Sequence, residues 1–138
     1  MIFIYTDGGS RGNPGEAAWG FVIFDETGKE LFGNGQRIGI NTNNVAEYMA
    51  LVEAFKYVAQ HRELIANSSG ITVRMDSMLV CQQMNGFWKV KHGNMVPLFQ
   101  EAKKLASELK VTVIYNHVPR EQNKVADSYV NRALDNLL

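Results

Sequence analysis

In Ile2-Phe3-Ile4-Tyr5-Thr6-Asp7-Gly8-Gly9 an apolar run ends on a carboxylate and two glycines. The run has the length of a short buried strand, Ile2 to Tyr5. Gly8-Gly9 and the following Arg11-Gly12-Asn13-Pro14-Gly15 loop predict its end. Ala17 to Phe24 and Glu30 to Ile38 read as two more strands around the Asp25-Glu26-Thr27-Gly28 turn, a hairpin signal. The first three strands are therefore expected to form an antiparallel meander.

From Asn44 the period changes. Ala46, Ala50, Leu51, Ala54, Phe55 and Val58 recur at three and four residues, the stripe of an amphipathic helix running to about His61. Ile71 to Met75 alternates as a strand, and Ser77 to about Asn85 reads as helix. Leu98, Ala102, Leu105 and Leu109 share one face of a helix over Val96 to Leu109. Val111 to Val118 is a β-branched strand, and Asn123 to Leu137 a closing helix. Each late strand is entered after a helix, so both should lie parallel to the first through right-handed crossovers. The expected fold class is α/β: a five-stranded mixed sheet, three strands in a meander plus two parallel ones, with helices on both faces.

The chain has 138 residues, 46% hydrophobic and 20% charged, which fits one globular domain and excludes disordered or collagen-like structure. Its one cysteine, Cys81, cannot form an internal disulfide, so a reduced cytoplasmic setting is expected. Met1 to Asp7 has no basic leader and turns polar quickly, and no apolar run reaches the ~18 residues of a membrane span. Fourteen basic residues balance fourteen acidic ones, which on its face argues against a nucleic-acid partner. The balance hides two halves, however. Residues 1–70 hold five basic and eight acidic groups, and residues 71–138 hold nine and six. Five of those lysines fall between Phe87 and Lys110, a local basic face.

Four carboxylates stand where chemistry could use them, and each has a plain structural explanation as well. Asp7 could serve a turn. Asp76 could cap the helix that starts near Ser77. Glu47, three residues after Asn44, could close a capping box. Asp127 could complement a helix dipole. Their placement together argues further. With the fourth strand parallel to the first, Asp7 and Asp76 leave the same end of neighbouring strands roughly 4.8 Å apart. That is the edge where open α/β sheets place their sites. Glu47 and Asp127 reach the same edge from helix starts. Clustered carboxylates repel unless a hard cation lies between them. An all-oxygen ligand set favours magnesium or manganese over zinc.

These residues carry a resemblance. Asp7-Gly8-Gly9-Ser10-Arg11-Gly12-Asn13-Pro14-Gly15, Asn43-Asn44-Val45-Ala46-Glu47-Tyr48, Asp76-Ser77 and Pro119-Arg120-Glu121-Gln122-Asn123 through Ala126-Asp127 resemble, in order, the blocks of type 1 ribonuclease H in its compact prokaryotic form. The resemblance covers essentially the whole chain, residues 1–138, as a single catalytic domain of that fold. It implies a metal-dependent endonuclease that cuts the RNA strand of RNA–DNA hybrids, leaving 5′-phosphate and 3′-hydroxyl ends. It also implies two Mg2+ ions, with Mn2+ as a substitute, about 3.5–4 Å apart. Asp7 would bridge both ions, Asp127 would complete the site that activates water, and Glu47 and Asp76 would hold the ion facing the leaving 3′-oxygen. Larger members carry a mobile histidine in a longer loop before the last carboxylate. Here the loop is short, and Arg120 stands seven residues before Asp127, as a phosphate or leaving-group contact or as one half of a surface ion pair. His117 lies inside the last strand, where a backbone partner would satisfy it.

Telling RNA from DNA requires contact with the 2′-hydroxyl. Gly12 lets the backbone approach, and Asn13, Asn43 and Asn44 offer amides that both donate and accept. In the family the paired asparagines face the minor groove, and Thr42 resembles a residue contacting a DNA phosphate. Phe87-Trp88-Lys89-Val90-Lys91-His92 is a shortened version of a basic handle. Trp88 could stack on a sugar and Lys89 and Lys91 could meet phosphates, or Trp88 could cap the core beside solvated lysines. The expected partner is an RNA–DNA hybrid, with double-stranded RNA left open, no membrane, and the chain acting as a monomer. Two rival readings are a catalytically weak hybrid- or double-stranded-RNA-binding module, and another nuclease on the same architecture.

Overall fold

A computed structural model describes residues 1–91 and 93–138. His92, the last residue of the handle-like stretch, lies outside the described residues. One sheet of five strands, in the order β3-β2-β1-β4-β5, forms the centre. β1 (Ile2–Gly12), β2 (Gly15–Phe24) and β3 (Glu30–Asn41) are the antiparallel meander. β4 (Gly70–Met75) and β5 (Thr112–His117) run parallel to β1. The five-stranded mixed sheet is the one expected.

α1 (Asn43–Gln60), α2 (Met78–Met84) and α3 (Val96–Glu108) cover one face, and α4 (Lys124–Leu134) crosses the other over β1 to β3. The main core lies beneath α1, where Ile4, Phe21, Ile23, Leu51, Phe55 and Val73 are buried. A smaller cluster of Ala18, Val130, Ala133 and Leu134 seats α4. α4 approaches closely because β2 carries Gly20: a Cβ there would stand 2.8 Å from the Ala126 carbonyl. Among the described residues no helix is long and apolar enough to cross a membrane.

Three boundaries move from expectation by three residues or more. β1 does not stop at Gly8-Gly9 but runs on to Gly12, because Gly8 to Gly12 pair with Trp19 to Gly15 of β2. β3 likewise extends past Ile38 to Asn41, pairing with the start of β2. α4 ends at Leu134 rather than Leu137, where the backbone turns to positive φ at Asn136.

Candidate active site

The parallel pairing of β1 and β4 aligns Thr6 with Met75, so Asp7 and Asp76 leave adjacent strands side by side. Two local features release these carboxylates from the structural duties open to them. Ser77, not Asp76, caps α2, its hydroxyl accepting from the Val80 N–H. Thr42, not Asn44, caps α1, accepting from the Val45 N–H at 3.3 Å. The Asn44–Glu47 capping box is therefore absent. Glu47, one turn into α1, points at β1 instead and accepts the Gly8 N–H at 3.0 Å. Glycine is needed at position 8, since a Cβ would stand 2.3 Å from the α1 backbone at Ala46 and Glu47.

Asp7, Glu47 and Asp76 each offer a carboxylate oxygen, all within 4.8 Å of one another. Asp7 and Glu47 are buried and Asp76 is half-buried. Burial, reinforced by the charge of Asp76, pushes the Asp7 carboxyl up to about 8. Burial, with Asp7 and Asp76 beside it, likewise holds Glu47 well above the usual carboxylate range. Three acids packed together against their own repulsion are a ligand set for a hard, oxygen-seeking cation. Asp127 lines the same 430 Å³ cleft from α4 but stands exposed, outside the triad. Its carboxylate accepts from Asn131 Nδ2 at 3.2 Å, one turn further on. Arg120, in a 3-10 turn over Arg120–Gln122, lines the cleft, and among the described residues it forms no ion pair. His117 ends β5 exposed rather than tucked against a partner.

The loop residues meet at the mouth of this cleft. Asn13 Oδ1 accepts the Asn43 N–H at 3.1 Å. Asn43 Oδ1 accepts both the Ser10 N–H at 2.8 Å and the Ser10 hydroxyl. The hairpin around Gly12 is thereby tied to the start of α1. Asn44 is left exposed, with its side chain free to face a ligand. The Thr42 hydroxyl accepts as a cap and still has its proton to give.

Trp88, Lys89 and Lys91 line a separate 440 Å³ depression beside Phe87. Phe87 is 75% and Trp88 46% exposed, so both rings are open to a ligand. The segment is rooted by Gln83, which is buried: it accepts from the Tyr48 hydroxyl and donates from Nε2 to the Lys89 carbonyl at 3.1 Å. A further cavity of 570 Å³, over an aromatic floor of Phe3, Tyr5 and Phe24, contains none of the candidate residues. Ser10, Asn131 and Asn123 join the site unannounced by the sequence. Ser10 and Asn123 stand inside the motif blocks without a role of their own there, and Asn131 shows only its four-residue spacing from Asp127.

A family model described as reverse transcriptase-like matches residues 5–133. A bifunctional protein of Mycobacterium tuberculosis is 39% identical over 135 residues, 97% of this chain and 35% of the relative. A ribonuclease HI of Halobacterium salinarum is 37% identical over 134 residues, 97% of this chain and 64% of the relative. The chain thus spans less than two thirds of either curated relative. Among solved structures, LC11-RNase H1 in complex with an RNA/DNA hybrid superposes with a TM-score of 0.92 at 41% identity. The match covers 99% of this chain and 98% of that one.

Proposed function

Because this chain belongs to the type 1 ribonuclease H family, we propose that it hydrolyses the RNA strand of RNA–DNA hybrids, leaving 5′-phosphate and 3′-hydroxyl ends. The observation that carries the reading is the Asp7–Glu47–Asp76 cluster, three carboxylates with oxygens within 4.8 Å of one another, two of them buried. Divalent ions, Mg2+ or Mn2+, would supply Lewis acidity, an activated water and charge relief at the leaving oxygen when bound.

The chain's own residues do the positioning. Asp7, beside Glu47 and Asp76, would be a ligand common to the ions. Glu47, locked on the Gly8 N–H, and Asp76 would hold the ion that serves the leaving 3′-oxygen. Asp127, oriented by Asn131, would complete the site that activates the water. Arg120 lies free in the cleft to meet a phosphate oxygen. Asn44, with Asn13 and Asn43 fixed behind it, reads the minor groove and its 2′-hydroxyls. Thr42, Trp88, Lys89 and Lys91 take the DNA strand. The full carboxylate set counts against a pure binding module, since uncompensated acids repel phosphate. A cytoplasmic setting belongs to the same reading, supported by the single buried thiol of Cys81.

The test is cleavage of labelled RNA–DNA, RNA–RNA and DNA–DNA duplexes, each titrated with Mg2+ and Mn2+. Metal-dependent cutting of the RNA strand in the hybrid is expected. Binding without cutting at every metal concentration would overturn the proposal in favour of a binding module.

A further inference from the structure

Asn123 is a buried polar residue that the carboxylate reading leaves unused. It is 1% exposed and lies between Arg120 and Asp127. Its backbone N–H donates to the Arg120 carbonyl at 2.9 Å, and its own carbonyl accepts the Asp127 N–H at 3.1 Å. Any residue could make these two local bonds. The third bond needs a side-chain donor. Nδ2 donates at 2.9 Å to the carbonyl of Thr6, the peptide that leads into Asp7. This bond joins the Arg120–Asp127 segment to β1 through groups 117 residues apart.

Stability alone does not account for an amide here. The Asn123 Oδ1 is buried with no hydrogen-bond partner among the described residues, and an unpartnered buried acceptor is costly. A leucine, with the same number of side-chain heavy atoms, has no acceptor to leave unpaired. What leucine would lose is the tether. Asp127 is exposed and outside the carboxylate triad, so its distance from Asp7 depends on where α4 begins. Reacting groups need placement to within roughly 0.5 Å.

We propose that Asn123 is a positioning residue, whose side-chain amide fixes the start of α4 against β1 and thereby sets the distance from Asp127 and Arg120 to Asp7. The inference rests on the hydrolytic reading of this site. It is tested with Asn123→Leu, measuring thermal unfolding, steady-state kinetics on a hybrid, and Mn2+ binding by calorimetry without substrate. The expected result is a Tm at or above that of the wild type, kcat at least tenfold lower, KM within twofold, and at least threefold weaker Mn2+ binding. A smaller fall in kcat, or one accompanied by a lower Tm, overturns the role. Should Asn123→Leu not fold, Asn123→Ala removes the donor without adding bulk, and the same kcat criterion applies. If the wild-type chain cleaves no hybrid, the hydrolytic reading fails by itself. The calorimetric arm then still decides: Mn2+ affinity unchanged by Asn123→Leu overturns the positioning role.

Discussion

Asp7 and Glu47 are 6% and 8% exposed, while Phe87 and Trp88 are 75% and 46% exposed. The first pair comes from a central strand and the helix packed on it, held through the Gly8 N–H. The second pair lies on a short segment after α2, whose Phe87 and Trp88 N–H groups both donate to the Gln82 carbonyl. One region accepts the cost of burying charge in return for fixed geometry, and the other keeps its aromatic and basic groups in water. The difference teaches where precision is needed. Bond breaking depends on where a carboxylate oxygen lies, whereas holding a duplex backbone depends mostly on charge and contact area. Substitutions in the cleft should therefore act on turnover, and those in the segment on affinity.

The sharpest test is Asp7→Asn. It removes an acid adjoining every other carboxylate, so kcat on a hybrid should fall about a thousandfold or more, with hybrid affinity within threefold of wild type. Normal turnover at saturating Mg2+ would break the comparison at its strongest point.

Removing metal should do as much to turnover, and it exposes the cost of the buried acids. Folded Asp7 holds its proton up to about 8 against an ordinary 3.8. Between those values the folded chain binds a proton that the unfolded chain has released, so stability in chelator falls as pH rises from about 4 toward about 8. Thermal unfolding in EDTA should give a lower Tm at pH 8 than at pH 5.5. Added Mg2+ or the Asp7→Asn change should shrink the gap, and a Tm flat across that range would contradict the burial argument.

Arg120→Ala should lower kcat about tenfold, the loss of ~1.4 kcal/mol of transition-state contact, with little change in KM. A rate within twofold of wild type would move Arg120 out of the site. Trp88→Ala should instead raise KM about fivefold at unchanged kcat, in keeping with ~1 kcal/mol of stacking. The smallest effect belongs to the Lys89→Ala, Lys91→Ala double variant. The slope of log affinity against log salt should become shallower by about 1–2. An unchanged slope would remove these lysines from phosphate contact.

Much of this was legible in the residues themselves. The switch of period at Asn44 and the two strands entered from helices predict a parallel strand beside β1, and with it the Asp7–Asp76 pair. Gly8 and Gly9 misled as breakers, because a glycine required by a helix packing overhead looks in sequence like one required by a turn. Asn44 misled as a cap because the helix begins earlier, with the Thr42 hydroxyl taking the Val45 N–H. Ser10 and Asn123 gave no local sign. Their partners lie 33 and 117 residues away, and only the closed sheet brings them together.

Gln83 bears on how such a chain can change over generations. Its bonds to the Tyr48 hydroxyl and the Lys89 carbonyl anchor the exposed segment at its root, to a helix residue directly after Glu47. Insertions and deletions beyond Lys89 would therefore begin past a fixed point and leave the carboxylates undisturbed. Reach toward a substrate can be lengthened or shortened there, gene by gene, while the chemistry is inherited intact.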